Sequence, residues 1–379
     1  MRTVDERSYA ALKYAHSFPE VLDVTAQVYY DRNDYSIGYP ISLYSGTNLI
    51  YSAFFQEQDV GEWWGAELEL NKRLWERHII TVGAEYRDDF RQERQFTGQQ
   101  TKQNERQSHG VYVQGDFEVL TNLHFNGGVR YDKYSDFDPT YNPRLALIYH
   151  PFEKSTFKAI YGTAFRTPNF LEQALSTRKL EPEDITSYEL AYEQEIGRRL
   201  RSTVSGFYNE MRDLIVLNNG SSTNCDANAS GVELALEGVW TGGVRGRASY
   251  TYQQTENRSF GWDLPDSPHH LGKFNLSVPL IRDKVFAGLE FQYTSSRKTL
   301  HNATDASGQP ITMQGEAASG FGIVNVTLFS QNLLKNLEFS GSVYNLLDRK
   351  YGDPATRFHQ QDVIEQDGRT FRIKLTYHF

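Results

Sequence analysis

Apolar and polar residues alternate along most of this chain. In "AGLEFQY", Ala287, Leu289, Phe291 and Tyr293 fall on one side, and Gly288, Glu290 and Gln292 on the other. "VRGRASYTY" sets Val244, Ala248, Tyr250 and Tyr252 against Arg245, Arg247, Ser249 and Thr251. "WGAELEL" opposes Trp64, Ala66, Leu68 and Leu70 to Glu67 and Glu69, and "GVELALEG" opposes Val232, Leu234 and Leu236 to Glu233 and Glu237. Successive side chains of an extended strand point to opposite faces, so a period of two predicts strands with one apolar and one polar face. The closing "TFRIKLTYHF" does the same: Phe371, Ile373, Leu375, Tyr377 and Phe379 oppose Arg372, Lys374, Thr376 and His378. No amphipathic helix longer than about two turns is predicted.

The alternation marks about 17 strands. They start near residues 7, 22, 61, 78, 107, 123, 141, 155, 185, 200, 229, 244, 268, 284, 317, 336 and 368. Their connections alternate in length. Short ones, such as "IGRRL", "TGG" and "IRDK", separate longer polar ones at 38–60, 88–107, 133–140, 166–186, 212–229, 254–268, 295–316 and 351–367. "NLIYSAFFQ" would put two connections out of phase as a separate strand, so it is placed inside the first long loop. Short turns on one rim and long loops on the other are the pattern of an antiparallel transmembrane β-barrel of the bacterial outer membrane. A soluble sandwich has shorter strands and no such alternation. If the last strand ends at the periplasmic rim, the first starts on the outer rim. An odd strand count is unexpected for such a barrel, so strands are expected upstream of Met1.

Composition narrows the function. Mean hydropathy is −0.59, and no apolar run approaches a membrane helix. Aromatic residues make up 14%, with 24 Tyr and 23 Phe, which suits a wall that is wet inside and girdled by aromatics outside. The net charge of −9 argues against nucleic acid, which calls for a basic footprint. Cys225 is the only cysteine, so no intrachain disulfide and no cysteine-based metal cluster is expected. "MRTVDERSYA" has neither the apolar segment nor the cleavage site of a signal peptide. No Ser–His–acid spacing, HExxH or phosphate-cradling glycine loop is present. No enzyme, cofactor or metal site is expected.

Several stretches together resemble the TonB-dependent receptors of Gram-negative outer membranes: "NPRLALIYHP", "YGTAFRTPNFLE", "LEPEDITSYELAYEQEIG", "FYNEMRDLI", "ASGVELALEG", "SVYNLLDRKYGDP" and "GRTFRIKLTYHF", with "GEWWGAELELNKRL" and "HIITVGAEYRDDF" before them. The resemblance covers nearly the whole chain and rests on the order of these stretches. It implies a barrel of about 22 strands, a plug domain N-terminal to it, and a TonB box that couples uptake to the inner membrane. It also implies a scarce, bulky ligand such as a ferric siderophore. Plug, TonB box and about five strands are not found here, so residues 1–379 read as a partial barrel domain. TonB would act only through a plug missing from this chain, and energised transport by the chain alone is not expected. A passive, porin-like diffusion channel is the alternative. Outer-membrane lipid and the barrel assembly machinery are the other expected partners, and a monomer is the expected state.

Candidate contacts follow. Arg166 in "AFRTPNF" ends a strand at the barrel mouth, where it could bind an anionic chelate through charge-assisted hydrogen bonds or pair with a neighbouring carboxylate. Trp262, at a loop tip near Phe260, could stack on a ligand. His301, Arg357 and Phe358 lie in the long loops nearest the C-terminus, which are natural recognition elements. His269 and His270 point to opposite strand faces and cannot easily share a metal. Tyr377 and Phe379 resemble the C-terminal assembly signal. Glu67, Glu69, Glu189, Glu193 and Glu233 share the polar face with Arg130, Arg245, Arg247, Arg372 and Lys374, a charge-satisfying wall.

Overall fold

The period of two builds long antiparallel strands. The computed structural model describes every residue except 1, 46–47, 76, 97–101, 219–220, 283, 305–309, 356–358 and 360. Side chains within strands are described outside 41–45, 48–53, 102, 301–304, 310 and 332–334. Among the described residues, seventeen strands make one antiparallel sheet, and two short hairpins stand apart from it. The chain divides into two units, one of residues 1–145 with 169–171, the other of 146–168 with 172–379.

In the first unit, β1 (Arg2–Phe18), β2 (Leu22–Ser45), β3 (Asn48–Leu74), β4 (His78–Phe96), β5 (Lys102–Leu120) and β6 (Leu123–Tyr134) pair in chain order. Next comes β7 (Thr140–Phe152), which runs across the division. In the second unit, β8 (Ser155–Arg166), β9 (Glu183–Ile196), β10 (Leu200–Asn218), β11 (Ser221–Val239), β12 (Arg245–Asn257), β13 (His270–Ile281) and β14 (Val285–Thr294) follow the same meander. The hairpin of β15 (Leu300–Thr304) and β16 (Pro310–Gln314) precedes β17 (Phe321–Leu334), which pairs with β14 and with β18 (Leu337–Tyr344). A second small hairpin, β19 (Gly352–Pro354) and β20 (Val363–Glu365), precedes β21 (Thr370–Tyr377), which pairs with β18. A short helix, α1 (Phe170–Ala174), lies between β8 and β9.

Three long connections of the sequence reading are not loops. "NLIYSAFFQ" belongs to β3, and Ser45 opposes Asn48 across the hairpin end. The 88–107 and 212–229 regions likewise belong largely to β4–β5 and β10–β11. The reason is backbone hydrogen bonding. β2 and β3 have 24 and 27 residues, whereas about 9 to 11 suffice to cross the apolar layer. Their outer parts stand in water, and the ladder satisfies their amides and carbonyls at no cost in side-chain pattern. A separate strand at residues 48–56 would put two connections out of phase, but as an extension of β3 these residues change no phase.

One face of the sheet is apolar and open. Val204, Leu234 and Tyr250 sit side by side in register and are 43%, 44% and 41% exposed. In water this row would be an aggregation surface, whereas in lipid it is the natural outer wall. Few apolar residues are wholly buried. Leu180, Ala227, Ala318 and Phe321 are among them, and all lie toward the long connections, where loops pack on strand ends.

The polar face carries rings as well as charges. Tyr112 lies over Gly83 on the neighbouring strand, where a Cβ would overlap its ring, and its hydroxyl donates to Glu69 at 2.8 Å. Gly83→Val is therefore expected to expel the ring and to cost about 1–3 kcal/mol from overpacking. Urea unfolding in detergent micelles checks this, with Val82→Ala on the opposite face as the control.

Candidate functional site

The candidate site is built where the polar face meets the long connections. Strand parity places its charges. In the first unit, Arg130 pairs with Asp132 at 2.7 Å and with Glu85 on β4. Arg94 holds Glu57 and, at 3.8 Å, Asp59 on the facing β3. Arg87 binds Asp89 at 2.6 Å beneath the Trp63 ring, 4.6 Å away. Arg106 reaches Asp136 at 2.8 Å and lies 5.3 Å from the Phe137 ring. These are charge-assisted pairs, several with two contacts, which fix side chains as well as neutralise them.

In the second unit, Arg166 ends β8 as the sequence places it. Its guanidinium donates to both oxygens of Glu172 at 2.9 and 3.0 Å and to Glu183 at the start of β9. Glu183 also accepts the Ile215 amide at 2.8 Å. Lower on the face, Glu193 accepts from Lys158 at 2.5 Å and from Arg201, and Arg247 pairs with Glu237 at 3.1 Å. These charges pair within a strand or across neighbouring strands, and two of the acids, Glu85 and Asp132, were not named from the sequence. Alternation finds them once the cross-strand register is known.

Trp262 sits in the turn after β12. Its carbonyl accepts the Asn257 amide at 2.7 Å, and its ring stacks on Phe260 at 5.2 Å. Arg166 and Trp262 each keep their own partners, and no contact joins them among the described residues. His301 lies on β15, where its backbone opposes Met313, and its side chain is outside the described residues. Arg357 and Phe358 are also outside them. Tyr377 ends β21, and Phe379 beyond it meets the Tyr377 ring edge-on at 5.1 Å.

The sequence reading missed one cluster altogether. Arg297, in the connection after β14, is only 9% exposed. It donates to Asp266 at 3.0 Å, to Asp353 at 2.7 Å and to the Gly352 carbonyl at 3.1 Å. Its guanidinium lies 5.7 Å from the Phe321 ring, which in turn packs on Tyr351 at 4.3 Å. One side chain therefore ties together three long connections. No local pattern in "SSRKTL" signals this, because the partners are far along the chain.

Beside it, Asp263 accepts from Lys298 at 2.9 Å and lies 3.6 Å from His269. The Lys298 ammonium, first, and His269 hold the Asp263 carboxyl below its ordinary range. The sign follows from that depression: the link contributes fully above about pH 4, the ordinary carboxylate value, and is lost as pH falls through the lowered one. Amide exchange of residues 258–269 is expected to be flat from about pH 8 to 5, after correction for intrinsic rates, and to rise only in stronger acid.

Comparison with known proteins agrees with this architecture. The family described as TonB dependent receptor-like, beta-barrel, matches residues 2–346. A vitamin B12 transporter BtuB of Vibrio cholerae is 26% identical over 230 residues, which are 59% of this chain and 36% of that protein. The BtuB of Vibrio vulnificus is 29% identical over 133 residues, 34% of this chain and 22% of that protein. The chain thus matches about a third or less of the length of these curated relatives. Among solved structures, the copper transporter OprC superposes with a TM-score of 0.81 at 19% identity, covering 98% of this chain and 66% of OprC. The pyoverdine receptor FpvA of Pseudomonas aeruginosa PAO1 gives 0.80 at 14% identity, covering 100% of this chain and 62% of FpvA. At these identities the superpositions show the fold. The match over residues 2–346 and the two-faced sheet lead to one assignment: the chain belongs to the TonB-dependent receptor β-barrel family of the bacterial outer membrane.

Proposed function

We propose that residues 1–379 are barrel domain of an import receptor that captures a large, scarce ligand at its long connections. The lumen passes the ligand inward when TonB moves a plug domain. The observation that carries this reading is the division of labour in the sheet. An open apolar face, a polar face closed by ion pairs, and long braced connections at one end are what capture above a lipid layer requires. Its relatives and structural neighbours supply the ligand range: vitamin B12, pyoverdine or copper. Trp262 and the connections carrying His301, Arg357 and Phe358 are the proposed contacts. Arg166 braces the mouth through Glu172 and Glu183. Tyr377 and Phe379 are the proposed handle for the assembly machinery.

The test uses the whole gene product in a host lacking its own receptors. Uptake of labelled vitamin B12 or of a labelled ferric siderophore is expected to need both this protein and TonB. Uptake that persists without TonB, together with a steady open conductance in planar bilayers, would replace this reading by a diffusion channel.

A further inference from the structure

Within the second unit, the polar face holds a cleft at the short-turn end of its strands. Its volume is about 720 Å³, inside the roughly 300–1,000 Å³ range of small-molecule sites. Register lays out its floor in two rows. Arg245, Ser277, Gly288 and Thr327 sit side by side on β12, β13, β14 and β17, and one step nearer the turns come Pro279, Phe286 and Phe329. The first row is polar and the second apolar, with the two phenyl rings 6.2 Å apart. Arg282, in the β13–β14 turn, adds a second cation to the wall. Gly243, with a φ of 86°, folds the β11–β12 turn against the Pro279 ring, where a Cβ would come within 3.1 Å.

Two guanidiniums line this cleft and no carboxylate does. Among the described residues neither Arg245 nor Arg282 has a carboxylate partner, and the Ser277 hydroxyl has no hydrogen bond. The next row toward the long connections does hold acids, and both are engaged: Glu237 with Arg247 at 3.1 Å, and Glu290 with the Asn325 amide at 3.3 Å. Gly288 leaves the middle of the floor bare, since a Cβ there would meet nothing nearer than 3.7 Å. A single arginine at a rim is ordinarily a solvated charge. Two in one cleft concentrate the field between low-dielectric walls and draw in a counter-anion. Their forked donors match a carboxylate, and the phenyl rings beside them gain from covering by an apolar body.

We propose that this cleft binds an organic carboxylate. Arg245 and Arg282 take the charge, Ser277 offers a hydroxyl, and the apolar body of the ligand lies on Phe286 and Phe329. The site is separate from the contacts proposed above. β12 runs from Arg245 to Asn257, so the cleft and Trp262 lie at opposite ends of one strand, roughly 40 Å along it. The carboxylate comes either from a free small molecule or from an acidic side chain of the gene product itself, and the test separates the two.

The test reads the modification of single arginines by phenylglyoxal, followed by peptide mass spectrometry, in the whole gene product in detergent micelles. Arg198, exposed in the β9–β10 turn, is the internal control. With a free carboxylate as the ligand, Arg245 and Arg282 react at close to the Arg198 rate, and naphthoate slows both at least about fivefold. Naphthamide, which lacks the charge, and acetate, which lacks the apolar body, change the rates by less than about twofold. With an acidic side chain as the ligand, both arginines are slow before any probe is added, and carbodiimide couples Arg245→Lys to an acid other than Glu237 or Glu290. Gly288→Leu fills the cleft and is expected to abolish the naphthoate protection or the coupling, whichever is seen. Three results would overturn the proposal: arginines as reactive as Arg198 whether or not naphthoate is present, equal protection by naphthamide, or slow arginines that yield no coupling. Protection or coupling that survives in a folded Gly288→Leu would overturn it too. Uptake of labelled vitamin B12 or siderophore does not enter this readout, so the site and the receptor reading can each fail alone.

Discussion

Replacing Leu234 by arginine is expected to prevent stable insertion, whereas Ala235→Arg, one residue on, is expected to be tolerated. Leu234 lies on the apolar face between Val204 and Tyr250. A charge there would face hydrocarbon, at about 2–4 kcal/mol near the bilayer midplane. Ala235 lies between Thr203 and Ser249 on the polar face, with Glu233 and Glu237 as neighbours of the same parity. An arginine there gains partners of opposite charge. The readout is heat-modifiable gel mobility after refolding into vesicles, followed by urea titration. Equal loss in the two variants would mean that the two faces do not differ as described.

The second large effect concerns Arg297. Arg297→Ala removes the cation from a site where two acids, a carbonyl and an aromatic ring converge. Breaking a buried pair by removing one partner costs up to about 3–5 kcal/mol. Asp266 and Asp353 are themselves 64% and 45% exposed and can recover water, so about 1–3 kcal/mol is the better figure. The loss should be local. Limited proteolysis is expected to cut within residues 258–269 and 350–355 much faster than in the parent, with the strands still protected. Arg297→Lys keeps the charge but loses the forked donors, and is expected to restore only part of the protection. Unchanged cleavage in Arg297→Ala would remove Arg297 from its role as a clasp.

The sheet was legible in the sequence because its strands separate two solvents. Wherever lipid lies on one side and water on the other, each strand must alternate, as in "GVELALEG". Six strands of the sheet begin at or next to the predicted starts 22, 78, 123, 155, 200 and 244, whereas β3 begins at Asn48 and β11 at Ser221, well before the predicted 61 and 229. Legibility ended where that boundary ended. Residues 48–60 of β3 continue the ladder with β2, a pairing that the phase of the connections did not reveal. The charged wall was legible as a type, not as pairs: Arg130 was expected to meet lumen acids, and its partners Glu85 and Asp132 follow only from register. The Arg297 clasp was not legible at all. Its link to Asp353 spans 56 residues, and nothing local in either segment records the other.

The central claim is that one face of this sheet meets lipid while the other meets water. Spin-label accessibility along residues 231–238, introduced one cysteine at a time in a Cys225→Ser background, tests it most directly in reconstituted vesicles. Collisions with dissolved oxygen should peak at positions 232, 234 and 236. Collisions with a water-soluble nickel chelate should peak at 231, 233, 235 and 237. Two opposed period-two profiles would bear out the account; profiles that rise and fall together, or nickel access at every position, would contradict it.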